Sequence, residues 1–225
     1  MFFICTERGE HEVTALDVLQ RVKLGEDQAR VFFRQLLKAC QNLQDRGLCH
    51  GDLKLENVIV SPDFNTIRLS NFQYVQHTAQ PCSMFKGTRQ YTAPEVLYQE
   101  GISNISFDSL KADVFSLGVI LYSSIIGRYP FKSATPADLR YRYVLSGDYD
   151  GFINTSASSL DQRSLSSVIS APMLQLLFQM WNPKPQFRPT FEQIAQDPWV
   201  KDLCEKATPL PISMTQNQQE TNWIQ

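Results

Sequence analysis

Residues 113 to 126 read Asp-Val-Phe-Ser-Leu-Gly-Val-Ile-Leu-Tyr-Ser-Ser-Ile-Ile, apolar on nearly every side of a helix. A helix of that kind cannot lie at a surface, so the rest of the chain must pack around it. A second helix is expected from Glu26 and Asp27, whose acidic side chains favour the positive N-terminal end, to Gly47, a stop residue. Its apolar positions, Ala29, Phe32, Phe33, Leu36, Leu37, Cys40 and Leu43, fall at three-and-four spacing and give one buried face. Shorter helices are expected over Val13–Val22, residues 136–146, residues 171–181 and Thr190–Gln196. Val58–Val60 and Ile67–Leu69 read as two short strands joined by a turn at Pro62-Asp63-Phe64-Asn65, a hairpin. Met1–Thr6 reads as one further strand, followed by a connector over residues 7–12. Residues 71–95 and the serine-rich stretch 155–170 read as loops, and the Gln- and Asn-rich tail from Thr208 as disordered. The fold class is therefore mainly α, with a small β-hairpin.

The chain has 225 residues, enough for one domain. A net charge of -2 shows no basic excess, so nucleic acid is not an expected partner. The apolar run at Met1–Cys5 is too short for a signal peptide or a membrane span, and no membrane partner is expected. Five cysteines without C-x-x-C spacing read as free thiols in a reducing compartment, the cytoplasm or the nucleus. Three scattered histidines do not suggest a structural zinc site.

The chemistry concentrates at residues 50 to 57, His-Gly-Asp-Leu-Lys-Leu-Glu-Asn. Phosphoryl transfer needs a carboxylate to take a hydroxyl proton, a cation near the migrating group and an oxygen ligand for magnesium, and the octet holds all three. It resembles the catalytic loop H-R-D-x-x-x-x-N of protein kinases, with Gly51 in place of Arg. Gly87-Thr88-Arg89-Gln90-Tyr91-Thr92-Ala93-Pro94-Glu95 resembles the end of a kinase activation segment. Asp113–Val119 resembles the start of the family's central buried helix, and Arg188-Pro189-Thr190 with Pro198-Trp199 its closing segment. Lys54 and Thr88 point to the serine/threonine branch.

The resemblance implies ATP and magnesium as cofactors and protein as substrate or partner. It implies that Asp52 accepts the hydroxyl proton, Lys54 stabilises the transferring phosphoryl, and Asn57 and Asn71 stand at the nucleotide and metal positions. Thr88 is expected to bond Asp52 and Lys54 and to shape the substrate groove. Glu95 is expected to pair with Arg188, Asp113 to hold the catalytic loop through its backbone, and His50 to stack with Phe72. The implied organisation is a remnant of the small lobe's last strand and hinge over residues 1–8, a kinase large lobe over 9–203 and a polar tail over 204–225.

Three departures bear on activity. Asn71-Phe72-Gln73 stands where the family has D-F-G, so a neutral amide replaces a metal-binding carboxylate. Gly51 removes the Arg that grips a phosphorylated activation loop. The glycines include no G-x-G-x-x-G, neither Lys23 nor Lys38 sits in a strand, and the N-terminal β-lobe is expected to be missing. The expected function is a serine/threonine protein kinase, incomplete or impaired. The alternatives are an inactive pseudokinase fragment that binds a protein, and a structural relic.

Overall fold

The computed structural model describes residues 13–61, 66–79, 88–98, 106–156 and 165–202. The expected strand and connector at 1–12, the turn at Pro62–Asn65 and the tail lie outside the described residues. Val13–Thr14 (β1) pairs with the segment Val58–Val60, and Thr14 then caps helix α1 (Ala15–Leu19) through reciprocal hydrogen bonds with Asp17. The single helix expected over Val13–Val22 is corrected to this strand and one short helix. The cap fixes the start at Ala15 by satisfying the orphan N–H groups there.

Helix α2 (Glu26–Gln44) buries Ala29, Phe32, Phe33, Leu36, Leu37 and Cys40 of the stripe expected from the spacing, leaves Leu43 half-buried near its end, and Gly47 beyond it has φ +68°. Glu26 does more than favour the helix terminus. Its carboxylate accepts from Ser170 N and Oγ at 2.7 and 2.6 Å and from Trp199 Nε1 at 2.6 Å, tying the start of α2 to the end of the chain's described part.

Leu48–Cys49 (β2) leads into the octet. Val58–Val60 (β3) and Ile67–Leu69 (β4) form the expected antiparallel hairpin, with Val58 opposite Leu69 and Val60 opposite Ile67, and β1 joins on the other side of β3. Gln76–His77 (β5) pairs antiparallel with β2. Within the stretch read as loop, the structure thus places β5 and also a short helix α3 (Pro94–Leu97), which starts at a proline because the first helical N–H needs no partner.

Helix α4 (Ser109–Ile126) is the centre of the fold. It starts before the expected Asp113, because the Asp108 carboxylate caps Leu110 N and Lys111 N. By length and composition it could cross a membrane, yet 72% of its apolar window is buried within the fold. After it come α5 (Leu139–Ser146), α6 (Tyr149–Ser156), α7 (Ala171–Met180), α8 (Phe191–Gln196) and α9 (Pro198–Lys201). The loop expected from Thr155 is corrected at both ends: α6 runs through Ser156, and Leu165–Ser167 forms a short turn with Leu165 and Ile169 buried. Two apolar anchors in a polar stretch gave too weak a pattern to read. Phe115, Tyr122, Phe131, Phe152, Phe178 and Trp181 meet in one aromatic cluster with centroid separations of 5.4 to 6.2 Å. Burying such rings is worth about 1.5–3 kcal/mol each. Cys40 and Cys49 are buried free thiols.

Candidate active site

The octet lies between the two small sheets and rests on α4. Asp113, one turn into the buried part of α4, accepts from His50 N at 2.7 Å and from Gly51 N at 3.1 Å. Two donors from consecutive peptides fix the entry of the loop against the core helix. His50 is fully buried; it meets Phe72 with ring centroids 5.4 Å apart, and its Nε2 is 3.0 Å from the Ser70 carbonyl. Since Nδ1 accepts from Asp52 N at 3.3 Å, the proton belongs on Nε2, which donates to Ser70. Gly51 has φ +76°, and a Cβ there would stand 2.5 Å from the Tyr74 carbonyl oxygen. The segment after Phe72 therefore packs directly on the loop, in space that a side chain at position 51 would contest.

Asp52 is buried, and Lys54 and Asn57 both meet it at Oδ2. Lys54 Nζ lies 3.0 Å away, and Asn57 Nδ2 donates at 2.9 Å and also to the Asp52 carbonyl at 2.7 Å. Lys54 Nζ also donates to Thr88 Oγ1 at 3.2 Å, so the link expected between Thr88 and Asp52 runs through the ammonium. Asn71 Nδ2 donates to Asn57 Oδ1 at 3.2 Å. Asn71 has φ 61°, a left-handed conformation that Asn tolerates better than most side chains. The structure thus brings Asp52, Lys54, Asn57, Asn71 and Thr88 into one hydrogen-bonded chain. His50, Phe72 and Asp113 support it from below, and the Glu95–Arg188 pair, at 2.6 Å, lies apart in the scaffold.

Two contributors were not read from the sequence. The Tyr91 hydroxyl accepts from Leu55 N at 3.4 Å, and Ser116 Oγ donates to the Tyr91 carbonyl at 2.8 Å. Together they brace the octet against the segment that carries Thr88. Burial pushes the Tyr91 phenol well above its ordinary range, with the Glu56 carboxylate adding to the shift. The tyrosine of the G-T-x-x-Y stretch was visible, but its reach to Leu55 is a long-range contact with no local pattern.

Burial drives the titration of the support. It lowers His50 from its ordinary value, so the imidazole is neutral at pH 7. Burial raises Asp113 from 3.8 to about 7, against the pull of its two backbone N–H donors. A carboxyl with a raised folded value binds a proton that the unfolded chain has lost. Its stability contribution is therefore full below 3.8, declines as pH rises through about 7 and is constant above. The stability difference between wild type and Asp113→Asn should narrow over that interval, with a slope of at most about 1.4 kcal/mol per pH unit. Urea unfolding of both proteins across the pH range checks this, and a difference that does not change with pH would contradict it.

A family model described as "Protein kinase domain" matches residues 1–200. The chain belongs to the protein kinase family. Sperm motility kinase 3A of Mus musculus is 32% identical over 196 residues, which cover 83% of this chain and 35% of that protein. CBL-interacting protein kinase 5 of Oryza sativa subsp. japonica is 31% identical, over 80% of this chain and 36% of its own length. CBL-interacting serine/threonine-protein kinase 7 of Arabidopsis thaliana is 31% identical, over 84% and 40%. This kinase-family chain thus spans 35% to 40% of the length of these relatives.

Protein kinases in general use ATP and magnesium. The residues of this site do not suit the metal. Magnesium takes oxygen ligands, preferably anionic. Here Asp52, the one carboxylate among the five hydrogen-bonded residues of the cluster, already holds the Lys54 ammonium, and Asn71 turns an N–H group toward Asn57. Among the described residues, no group of three His, Cys, Asp or Glu side chains is placed to hold a metal ion.

Proposed function

We propose that this chain belongs to a serine/threonine protein kinase whose transfer of the ATP γ-phosphoryl to protein hydroxyls is impaired at Asn71. The observation that carries the reading is the Asp52–Lys54–Thr88 cluster. In this reading the hydroxyl oxygen of a substrate Ser or Thr attacks the γ-phosphorus, the bond to the ADP oxygen breaks, and the hydroxyl proton passes to Asp52. Oδ1 of Asp52 takes neither the Lys54 nor the Asn57 contact and is the atom assigned to that proton. Lys54 offsets charge on the migrating group, and Thr88 holds Lys54 toward the substrate groove. The buried thiols Cys40 and Cys49 suit a reducing compartment, the cytoplasm or the nucleus.

Asp52→Asn should lower phosphoryl transfer to a Ser/Thr peptide library by about 10²-fold or more, the usual worth of a general base, with peptide affinity kept. Transfer indifferent to this change would refute the assignment. A second reading, a pseudokinase that only binds its protein partner, is favoured by the Asn71 N–H that faces Asn57. It predicts peptide binding with no transfer that depends on Asp52.

A further inference from the structure

We infer that the Asn71 side-chain amide takes the place of a divalent cation, holding the catalytic loop to the 71–73 triplet by a hydrogen bond. The inference rests on reading residues 52–57 and 71–73 as the transfer site, and it deepens that reading.

The orientation of both amides is determined by the chain of partners. Asn57 Nδ2 lies 2.7 Å from the Asp52 carbonyl and 2.9 Å from Asp52 Oδ2, and both of those atoms can only accept. The NH₂ of Asn57 must therefore face Asp52, and its Oδ1 must face Asn71. Asn71, 3.2 Å from that oxygen, must then present its own NH₂. Turning either amide over sets oxygen against oxygen or NH₂ against an acceptor-starved NH₂. The donor direction thus runs from Asn71 through Asn57 to Asp52, and the Lys54 ammonium closes the far end. The Asp52 carbonyl, Asp52 Oδ2 and Asn57 Oδ1 each already meet a positive hydrogen.

A cation normally draws two groups of oxygens together. Here an N–H does so, and the left-handed backbone at Asn71, φ 61°, aims it. The Ser70 side chain and backbone N both donate to the Asn57 carbonyl, at 3.2 and 2.9 Å, so the backbone on either side is pinned as well. Without a cation the two segments stay in register. With a carboxylate at position 71 they would not, since a charged oxygen would then face Asn57 Oδ1.

The test is thermal unfolding of wild type, Asn71→Asp and Asn71→Ala in EDTA, in Mg²⁺ and in Mn²⁺, without nucleotide. Wild type should melt at one temperature in all three. Asn71→Asp should melt about 2–4 °C lower in EDTA, the shift expected of one lost contact in a domain of this size, and should recover in Mg²⁺ or Mn²⁺. Asn71→Ala should be lower throughout and should not recover. Paramagnetic broadening by Mn²⁺ gives a second readout that needs no variant: the Asn57 and Asn71 side-chain amide signals of wild type should stay sharp. A wild-type melting temperature raised by Mg²⁺, broadening of those amides, or an Asn71→Asp protein indifferent to cations would overturn the inference. These readouts involve neither peptide nor transfer, so they can fail while the substrate assignment of Asp52 stands, and the reverse.

Discussion

Replacing Arg188 by methionine should lower stability by about 3–5 kcal/mol, the cost of stranding one partner of a buried ion pair. The Arg188 side chain has no exposed surface. Its guanidinium makes a two-pronged contact with Glu95, Nη1 to Oε1 at 2.7 Å and Nη2 to Oε2 at 2.6 Å. Nε donates to the Asn182 carbonyl and Nη1 to the Lys111 carbonyl, both at 2.8 Å, and the group lies over the Phe115 ring at 5.1 Å. Methionine would fill much of the volume but leave the Glu95 carboxylate and two carbonyls without their donor. Lysine should not rescue, because a single ammonium cannot span both carboxylate oxygens and the carbonyls. Since Glu95 lies in the first turn of α3, which begins directly after Thr88–Ala93, the loss should also loosen the segment that carries Thr88. Urea denaturation measures the effect, and a loss under about 1 kcal/mol would place the pair among weak surface bridges instead.

Asn71→Asp should raise phosphoryl transfer in Mg²⁺ by about 10²–10³-fold, the usual worth of one preorganised electrostatic group. The substitution removes the N–H that faces Asn57 and supplies the carboxylate that this position lacks. The rest of the cluster is already assembled: Asp52 with its Lys54 partner, Asn57 held by Asp52, and Thr88 on Lys54. A gain of that size from one atom exchange would be hard to explain if the cluster were only scaffold. Steady-state transfer to a Ser/Thr peptide library measures it.

What the sequence made legible divides along physical lines. Segments with a strong period or an unbroken apolar character, α2 and α4, were readable because burial alone decides them. The hairpin of β3 and β4 was readable because the turn-forming residue types Pro62-Asp63-Phe64-Asn65 separate two short runs, Val-Ile-Val and Ile-Arg-Leu. The β1 strand was not, since two residues are too short a run to read as a strand and their pairing with Val58–Val60 is a long-range choice. Neither was α6, whose Gly151 and polar positions hide Phe152, a fully buried member of the aromatic cluster. At the site, the residue types of the octet and the neutral Asn71 were plain in the sequence. The direction in which Asn71 presents its amide was not, because it follows from two hydrogen bonds at Asp52 that only the folded loop defines. Tyr91 escaped for the same reason.

In the proposed reading, the transfer machinery is assembled and held back at one amide. Its most direct test is single-turnover transfer from γ-labelled ATP in Mg²⁺, with the wild-type protein, Asn71→Asp and the Asp52→Asn/Asn71→Asp double variant. Wild type should transfer slowly, Asn71→Asp should gain about 10²-fold or more, and the gain should be lost when Asp52 is also replaced. An Asn71→Asp protein no faster than wild type, or a gain that survives the loss of Asp52, would contradict it.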